Sequence, residues 1–372
     1  MKIVADNKIP FLEGVLEPFA EMVYLPGGKI DQAVVKNADA IITRTRTKCN
    51  QQLLEGSSVK FIASATIGYD HIDTDYCRQN GIIWTNAPGC NSGSVQQYLA
   101  SALLNLMQKY ELDFHEIKLG IVGVGNVGTK IKKLADVLGI KSLLNDPPRA
   151  RLESIDYFVS LDQILAECNI ITLHVPLNME GKDKTFHLFD HDTIARLHQD
   201  CILINSSRGE VIDNQELKLA LEAKRIRAAV LDVWENEPDL DLELMNLVDY
   251  GTPHIAGYSL DGKANGTAQA VRAVSHFFKL GIDNFYPPEV PEPDHTVIEP
   301  IETSGVDLWK KLINCTYDIR DDHHRLMISP ETFEEQRGNY PLRREFGVYK
   351  VKDSLTNEVK HQLSQLGFQI EK

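Results

Sequence analysis

The 372-residue chain is too long for one ordinary hydrophobic core and suits two or three domains. Its composition, 43% hydrophobic and 25% charged, is typical of a soluble globular protein, and no apolar run approaches the length of a membrane span. A net charge of −14 argues against a nucleic-acid partner, because such binding depends on neutralising phosphates, but a local cluster of arginines can still hold a small anion.

The N-terminal residues and the cysteines predict the compartment. The start, MKIVADNKIP, has no basic segment followed by a long apolar stretch of the secretory kind. The six cysteines are scattered without a C-x-x-C pair, so we expect structural thiols rather than disulfides or zinc ligands. Both observations predict a cytoplasmic protein.

Short apolar runs rich in β-branched residues recur along the chain, with helical segments between them. The first series lies at residues 3–5, 40–43, 59–64 and 82–84. The second series lies at residues 119–124, 142–144, 170–175, 202–204 and 229–233. Strands that alternate with helices form parallel sheets, so the pattern predicts an α/β protein with two doubly wound, Rossmann-like domains.

Two long helical segments bracket the second series. The glycine- and asparagine-rich turn in NAPGCNSGSV leads into a helix that ends near residue 108, and another helix is predicted over 264–281. We therefore predict that residues 93–256 form an inserted domain. Residues 1–92 and 257–285 then form one discontinuous domain.

The C-terminal part of the chain begins with a proline-rich stretch. YPPEVPEPDH (286–295) cannot continue a helix and predicts an extended linker. Beyond it, the amphipathic segment VDLWKKLINCTYDI and the strand-like GVYKV predict a small α+β domain over 296–372. An appended domain of this size often gains stability by packing against a partner subunit.

The segment KLGIVGVGNVGTKIKKLADVLG contains a glycine motif between an apolar strand and an amphipathic helix. Gly123, Gly125 and Gly128 have the spacing G-x-G-x-x-G. The first glycine permits a tight turn, the second lets the backbone approach a pyrophosphate, and the third lets the helix pack near the strand. The anion then meets the unpaired N–H groups at the helix start. The motif alone is a weak signal, but this context predicts a dinucleotide site.

Asp146 lies at the end of the next predicted strand, eighteen residues after Gly128. A carboxylate there accepts a hydrogen bond from a ribose 2′-hydroxyl and repels a 2′-phosphate, so we predict NAD rather than NADP. Two alternatives stay open. Asp146 precedes two prolines and could simply start a turn, and Arg149 and Arg151 could tolerate a phosphate.

Polar side chains follow the last strands of the second series. Arg208 stands in INSSRGEVID, directly after a buried strand, and His254 stands in TPHIAGYS. Asp232 and Glu237 lie in LDVWENEP. Because ligands bind beyond the carboxyl ends of the strands in such sheets, we expect a small anion beside Arg208.

In this order the motifs resemble those of the D-isomer-specific 2-hydroxyacid dehydrogenases over about residues 1–285. The resemblance implies oxidation of a 2-hydroxy acid, with His254 as the base, Glu237 holding its other ring nitrogen, and Arg208 gripping the substrate carboxylate. It places Asp232 near the nicotinamide. Taken singly, His254 could be an interior histidine, Arg208 a turn cap and Glu237 a solvent-facing side chain. The cofactor contacts that we predict are Gly123, Gly125, Asn126, Val127, Gly128, Asp146, Val175, Ser206, Ser207, Arg208, Asp232 and Gly257.

The discontinuous domain is expected to supply most substrate contacts. TRTRTK places Arg44 and Arg46 just after a strand, although a short charge run is usually a solvated face. The resemblance places substrate contacts at Thr45, where a serine is usual, at Thr66, and at Tyr258. It also expects a threonine at the position of Val175, so any cofactor contact there must use the backbone.

The C-terminal segment indicates which members of this dehydrogenase family the chain resembles. With NYPLRREFGVYKV, IVADNKIP and NAPGCNSGSV, the chain resembles members of the family that oxidise 4-phospho-D-erythronate with NAD in vitamin B6 (pyridoxal 5′-phosphate) synthesis. The implied product is (R)-3-hydroxy-2-oxo-4-phosphooxybutanoate, and the implied assembly is a homodimer built by the C-terminal domain. Arg343 and Arg344 could reach a phosphate or form inter-subunit ion pairs, and we favour the ion pairs.

Two other functions remain open. A 3-phosphoglycerate dehydrogenase would share every catalytic residue, and an NAD(H)-sensing binding protein could retain them as well. The clusters DDHH (321–324) and DHID (70–73) lack convincing ligand spacing, so no metal is predicted.

Overall fold

The computed structural model describes residues 1–153, 157–300 and 303–371. Its strands are β1 (Lys2–Asp6), β2 (Glu21–Leu25), β3 (Ala40–Thr43), β4 (Phe61–Ser64), β5 (Ile83–Thr85), β6 (Lys118–Val122), β7 (Lys141–Asn145), β8 (Ile170–Leu173), β9 (Ile202–Asn205), β10 (Ala228–Leu231), β11 (Tyr250–Gly251), β12 (Val297–Ile298), β13 (Lys350–Lys352) and β14 (Gln369–Glu371). Its α-helices are α1 (Gln32–Val35), α2 (Gln51–Leu54), α3 (Thr74–Gln79), α4 (Ser92–Lys109), α5 (Asn126–Leu138), α6 (Pro147–Leu152), α7 (Leu161–Glu167), α8 (His191–Ala195), α9 (Asn214–Glu222), α10 (Leu242–Leu247), α11 (Leu260–Phe278), α12 (Gly305–Asn314), α13 (Ile319–Ile328), α14 (Phe333–Gly338) and α15 (Asn357–Leu366).

The described residues fall into two compact units. Unit 1 comprises Met1–Asn91 and Ser259–Pro291, and unit 2 comprises the described parts of 92–258 and 292–371. The C-terminal residues therefore share a unit with the predicted nucleotide-binding domain. No helix in the described ranges is long and apolar enough to cross a membrane.

Unit 1 is built on a parallel sheet in the order β2-β1-β3-β4-β5. Successive side chains of β1 enter the two hydrophobic layers on opposite faces, as strand geometry requires. Helix α11 returns to this unit and packs on β4, where the rings of Phe61 and Phe277 stack at 4.6 Å. The sequence analysis missed β2, an edge strand in which no residue is fully buried.

Unit 2 contains a second parallel sheet, in the order β11-β10-β9-β8-β6-β7. The chain passes from β6 to β7 on one side and then to β8 on the other, so the strand order reverses at β6. In doubly wound sheets a ligand crevice opens at the carboxyl ends of the strands beside such a reversal. The predicted parallel-sheet α/β fold is confirmed.

The C-terminal residues form a three-stranded parallel sheet, β12-β13-β14, with helices around it. Helix α12 packs on α4, α15 packs on α5, and α13 packs on the edge strand β11. At that edge the Gly251 N–H donates to Nδ1 of His323 at 3.0 Å. His323, in the DDHH cluster, thus contributes to packing beside β11.

Candidate functional site

The glycine motif forms the turn between β6 and α5. Gly123 has φ +88°, and a Cβ there would lie 2.6 Å from the carbonyl oxygen of His174. Only glycine combines this left-handed conformation with such a close approach. At Gly128 a Cβ would lie 2.1 Å from the Gly123 oxygen, so the absence of a side chain lets α5 sit against the strand.

The start of α5 is suited to an anion. Gly125 is the N-cap residue and supplies no side-chain hydrogen bond, and a Cβ there would meet no atom within 4 Å. Gly125 and Asn126 are exposed, with Val127 half-buried beside them. The backbone N–H groups of this first turn can therefore bind a phosphate group, as a dinucleotide requires.

Asp146 lies beside the glycine turn. Its Oδ2 accepts the Val124 N–H at 2.8 Å, and its Oδ1 accepts the Arg149 N–H at 3.0 Å and caps α6. Each carboxylate oxygen retains a further lone pair, so Asp146 can both start the turn and accept a hydrogen bond from a ribose hydroxyl. The Arg149 side chain pairs with Glu153 through two hydrogen bonds of 2.6 and 2.7 Å, which directs its guanidinium to that carboxylate.

The turn after β9 presents Ser206, Ser207 and Arg208. The Asn205 side chain fixes it, because its oxygen accepts from the Ser207 N–H at 3.0 Å and its amide donates to the Arg208 oxygen at 2.8 Å. The Ser206 hydroxyl is buried and finds no hydrogen-bond partner among the described residues. Val175 follows β8 and lies against Gly123. A polar ligand would satisfy the Ser206 hydroxyl, so the residues of this sheet edge fit the predicted NAD.

Gly209 brings the turns after β9 and β10 together. A Cβ at Gly209 would lie 2.0 Å from the Trp234 oxygen and 2.6 Å from the Glu235 nitrogen. Backbone therefore packs on backbone, and any larger residue would separate the two turns. This contact sets the spacing between the Arg208 turn and the Glu237 turn.

Asp232 is 1% exposed and holds the loop that carries His254. Its Oδ1 accepts from the Thr252 hydroxyl and the Ile255 N–H, both at 2.7 Å, and its Oδ2 accepts from the Ala256 N–H at 2.9 Å. Burial raises the pKa of Asp232, although the His254 charge and these donors act in the opposite direction. The structure thus gives Asp232 a role in shaping the loop that the sequence analysis did not foresee.

His254 and Glu237 form the hydrogen-bonded pair expected of a catalytic dyad. Nδ1 of His254 lies 2.8 Å from Glu237 Oε2, and the second carboxylate oxygen accepts the Trp234 N–H at 3.0 Å. Their side chains are 32% and 19% exposed. Burial alone raises the pKa of Glu237, but the hydrogen bond and charge of His254 outweigh it, and the net shift is downward.

The backbone of His254 is strained. Its φ is +55°, a left-handed conformation that costs a residue with a Cβ about 1 kcal/mol or more and persists only where the surroundings enforce it. The His254 N–H donates to the Asp232 carbonyl oxygen at 2.7 Å. The imidazole direction is thus enforced by backbone contacts as well as by Glu237.

Tyr258 and Gly257 follow on the same loop, and both are half-buried. The Tyr258 ring meets Tyr340 edge to face at 5.7 Å, and the Arg337 guanidinium lies 5.9 Å from its centre. The positive charge of Arg337 also contributes to lowering the pKa of Glu237. Arg337 belongs to α14, in a region without a recognisable catalytic motif, so sequence reasoning missed it.

The predicted substrate residues of unit 1 lie at the carboxyl ends of β3 and β4. Arg44 is half-buried and donates to the Lys8 carbonyl oxygen at 3.0 Å, whereas Thr45 and Arg46 are exposed. The Thr66 hydroxyl lies 2.9 Å from the Ser64 hydroxyl and donates to the Gly68 oxygen at 3.1 Å. These contacts hold the two turns in place.

Lys263, on α11 of unit 1, is a further cation that the sequence analysis missed. Burial lowers the pKa of Lys263, and the neighbouring Arg44 charge lowers it further. A bound anion would favour the charged form of Lys263 and so offset both effects. No local motif marks this lysine; only its fold position, on a helix that returns late in the chain, brings it near Arg44.

Arg343 and Arg344 correct one sequence-based prediction. They are 5% and 8% exposed within unit 2, so neither guanidinium is presented on the surface for an inter-subunit ion pair. The prediction was wrong because the short stretch PLRRE has the composition of an exposed charge run. The two arginines are buried because this stretch packs against α4, which the sequence does not show.

Gly128 and Gly125 of the glycine motif should have different roles, the first in folding and the second in binding. Gly128→Ala must push its methyl group against the Gly123 oxygen and should destabilise the chain by about 1–3 kcal/mol. Gly125→Ala has room for the methyl group and should fold normally, but it should weaken NAD binding about tenfold by obstructing the pyrophosphate. Chemical denaturation and fluorescence titration with NAD measure the two effects. Equal effects of both variants on both measurements would contradict this assignment.

The lowered pKa of Glu237 predicts how stability depends on pH. A carboxyl group whose pKa is lower in the folded chain stabilises that chain above its ordinary pKa of 4.5, and this contribution disappears as the pH falls through the folded value. Glu237→Gln should therefore be less stable than the wild type at pH 7, and the difference should shrink below pH 4.5. The exposed Glu243→Gln is the control. Denaturation curves showing the same Glu237→Gln difference at both pH values would refute the assignment.

Comparison with known proteins identifies the family. The model for the "D-isomer specific 2-hydroxyacid dehydrogenase, NAD binding domain" matches residues 96–256, which confirms the prediction of NAD as the cofactor. Residues 290–367 match a "Domain of unknown function (DUF3410)".

Two relatives that align over nearly their full length are both named erythronate-4-phosphate dehydrogenase. The chain is 49% identical to the erythronate-4-phosphate dehydrogenase of Bacteroides fragilis, over 94% of this chain and 99% of that protein. It is 40% identical to the enzyme of the same name from Photorhabdus laumondii, over the whole of both chains. The fold resembles a D-lactate dehydrogenase structure from Aquifex aeolicus, with a TM-score of 0.64, 24% identity, and coverage of 77% of this chain and 98% of that one. The chain therefore belongs to the erythronate-4-phosphate dehydrogenase family and carries the NAD binding domain of the D-isomer specific 2-hydroxyacid dehydrogenases.

Proposed function

We propose that this protein oxidises 4-phospho-D-erythronate to (R)-3-hydroxy-2-oxo-4-phosphooxybutanoate, with NAD as the oxidant, in vitamin B6 synthesis. The observation that carries the chemistry is the 2.8 Å hydrogen bond between His254 and Glu237 on a loop held by Asp232. Oxidation of a secondary alcohol needs a base at the hydroxyl group, and a histidine held by a carboxylate supplies one.

The protonation state of the dyad follows from Glu237. Because its pKa is lowered, Glu237 is a carboxylate at neutral pH and can only accept hydrogen bonds. Nδ1 of His254 must then carry the proton of the shared hydrogen bond, which leaves Nε2 as the basic nitrogen. His254 takes the hydroxyl proton of the substrate at Nε2, and the Glu237 carboxylate stabilises the imidazolium that forms.

Arg208 supplies a permanent positive charge near the reacting carbon in this proposal. Its guanidinium can hold the substrate carboxylate in two parallel hydrogen bonds and polarise the developing carbonyl oxygen. NAD, when bound by the glycine turn and Asp146, supplies the acceptor for the hydride that leaves C2. The O–H proton passes to His254 and the C–O single bond becomes the carbonyl, so protons and electrons balance.

Cations in unit 1 suit the phosphate group of the substrate. Arg44, Arg46 and Lys263 supply positive charge there, and a dianion would offset the burial and repulsion that disfavour the charged Lys263. We propose hydroxyl contacts from Thr45 and Thr66, and a further contact from Tyr258. Thr45 in place of serine keeps the hydroxyl group and adds one methyl group.

The reaction should be measured as NADH formation with 4-phospho-D-erythronate and, separately, with 3-phosphoglycerate. A 2-oxo acid should be added in a parallel assay to reoxidise NADH that stays bound. We expect turnover with the erythronate and little with 3-phosphoglycerate. Preference for 3-phosphoglycerate would contradict the substrate, and NAD binding without any turnover would favour an NAD(H)-sensing protein.

His254→Ala is the variant control for the same assay. It should lower turnover by about two to four orders of magnitude, the range of general acid–base catalysis, while NAD binding stays within twofold of the wild type. Undiminished turnover would remove His254 from the mechanism.

We also propose a cytoplasmic homodimer that assembles through residues 296–372. The exposed apolar side chains of Val297, Ile328 and Leu342 in this segment support a protein-binding surface. The six cysteines all lie in the described ranges and form no disulfide there, as is typical of a reducing compartment. Sedimentation velocity should give twice the chain mass, and Ile328→Asp with Leu342→Asp should shift it toward a monomer. A monomeric wild type would exclude the dimer.

A further inference from the structure

Arg343 is a buried cation in the C-terminal segment (residues 292–371). It is 5% exposed, and all three of its guanidinium nitrogens donate hydrogen bonds. Nε donates to the Gln97 side chain at 2.8 Å, and Nη2 donates to the Ser94 carbonyl oxygen at 2.6 Å, both on α4. The guanidinium also covers the Tyr317 ring, 3.8 Å from its centre. Such burial of a charge is costly, so its contacts must be well defined to offset it.

The third hydrogen bond reaches the catalytic loop. Nη1 of Arg343 donates to the Ile255 carbonyl oxygen at 3.3 Å, and the Ile255 N–H donates to Asp232 at 2.7 Å. Ile255 directly follows His254 in the chain. A buried cation therefore holds the carbonyl group of this residue while a buried anion holds its N–H group.

This arrangement bears on the conformation of His254. At φ +55° the histidine is in a strained left-handed conformation, and such a residue stays there only when the adjoining peptide groups are fixed. Asp232 fixes the peptide groups on both sides of His254: its backbone oxygen accepts the His254 N–H, and its carboxylate accepts the Ile255 N–H. Arg343 fixes the next carbonyl group from the C-terminal segment.

We propose that the C-terminal segment is a positioning element of the catalytic site, and that Arg343 acts by holding the Ile255 peptide so that His254 keeps its reactive orientation. Arg343 is a positioning residue, since it works through the loop and not on the substrate. The proposal rests on the proposed function for its catalytic consequence. It gives the C-terminal residues a role in the chemistry of their own chain, separate from any role in assembly.

The experiment compares three substitutions in the full-length chain. Arg343→Met removes the charge and the hydrogen bonds to Gln97, Ser94 and Ile255 while keeping much of the apolar length. Arg343→Lys keeps the charge, but one ammonium group cannot replace a planar guanidinium at Gln97, Ser94 and Ile255 together. Arg320→Gln is the matched control, because Arg320 is an exposed arginine of the same segment that pairs with Asp318, the N-cap residue of its own helix.

Two readouts separate this proposal from the proposed function. Amide hydrogen exchange of residues 252–258, measured without substrate, reports how firmly the loop is held. Steady-state turnover reports the chemistry. In Arg343→Met we expect exchange in 252–258 to rise at least tenfold and kcat to fall about 10- to 100-fold, with KM for NAD within twofold. Arg343→Lys should be intermediate, and Arg320→Gln should match the wild type.

Wild-type exchange and wild-type kcat in Arg343→Met would overturn the proposal, as would equal losses in Arg320→Gln. If Arg343→Met does not fold, Arg343→Lys decides, and unchanged exchange and kcat in that variant would overturn the proposal. If the wild type itself shows no turnover, the proposed function fails, while the exchange data still decide whether Arg343 holds the loop.

Discussion

The rest of the site depends on the Asp232 carboxylate. It accepts three hydrogen bonds from the loop that carries His254, and it directly follows β10, which pairs with β9 on one side and with the edge strand β11 on the other. Thr252 joins this network to the Tyr98 hydroxyl on α4, at 2.9 Å. Asp232 is buried, and backbone N–H and hydroxyl groups satisfy its carboxylate. Because it is anchored at the end of a sheet strand, these hydrogen bonds fix the position of the His254 loop relative to the sheet.

Close backbone packing sets the remaining distances. The turns after β9 and β10 touch at Gly209, and the glycine turn touches the end of β8 at Gly123, in both cases without room for a side chain. The charged groups that these turns carry are therefore placed by contacts that tolerate little movement. This arrangement suits hydride transfer, because small displacements of the reacting groups lower the reaction rate by large factors.

Much of the fold could be predicted from sequence because strands buried on both faces leave continuous apolar runs, as at β6, β8 and β9. Edge strands such as β2 and β11 leave weaker patterns, since one is half-exposed and the other has two residues. Motif order was enough to predict the pairing of Glu237 with His254. The contribution of Arg343 could not be predicted, because its contacts with Ser94 and Ile255 join distant segments through folding alone.

In the proposed reaction a hydride passes directly from C2 of the phosphorylated hydroxy acid to NAD, while His254 takes the hydroxyl proton. The most direct test uses 4-phospho-D-erythronate carrying deuterium at C2, with mass spectrometry of the reduced nicotinamide after one turnover. We predict that the deuterium appears in the reduced cofactor and that the 2-oxo acid forms in equal amount. Loss of the deuterium to water, or no reduction of NAD with this substrate, would contradict the account.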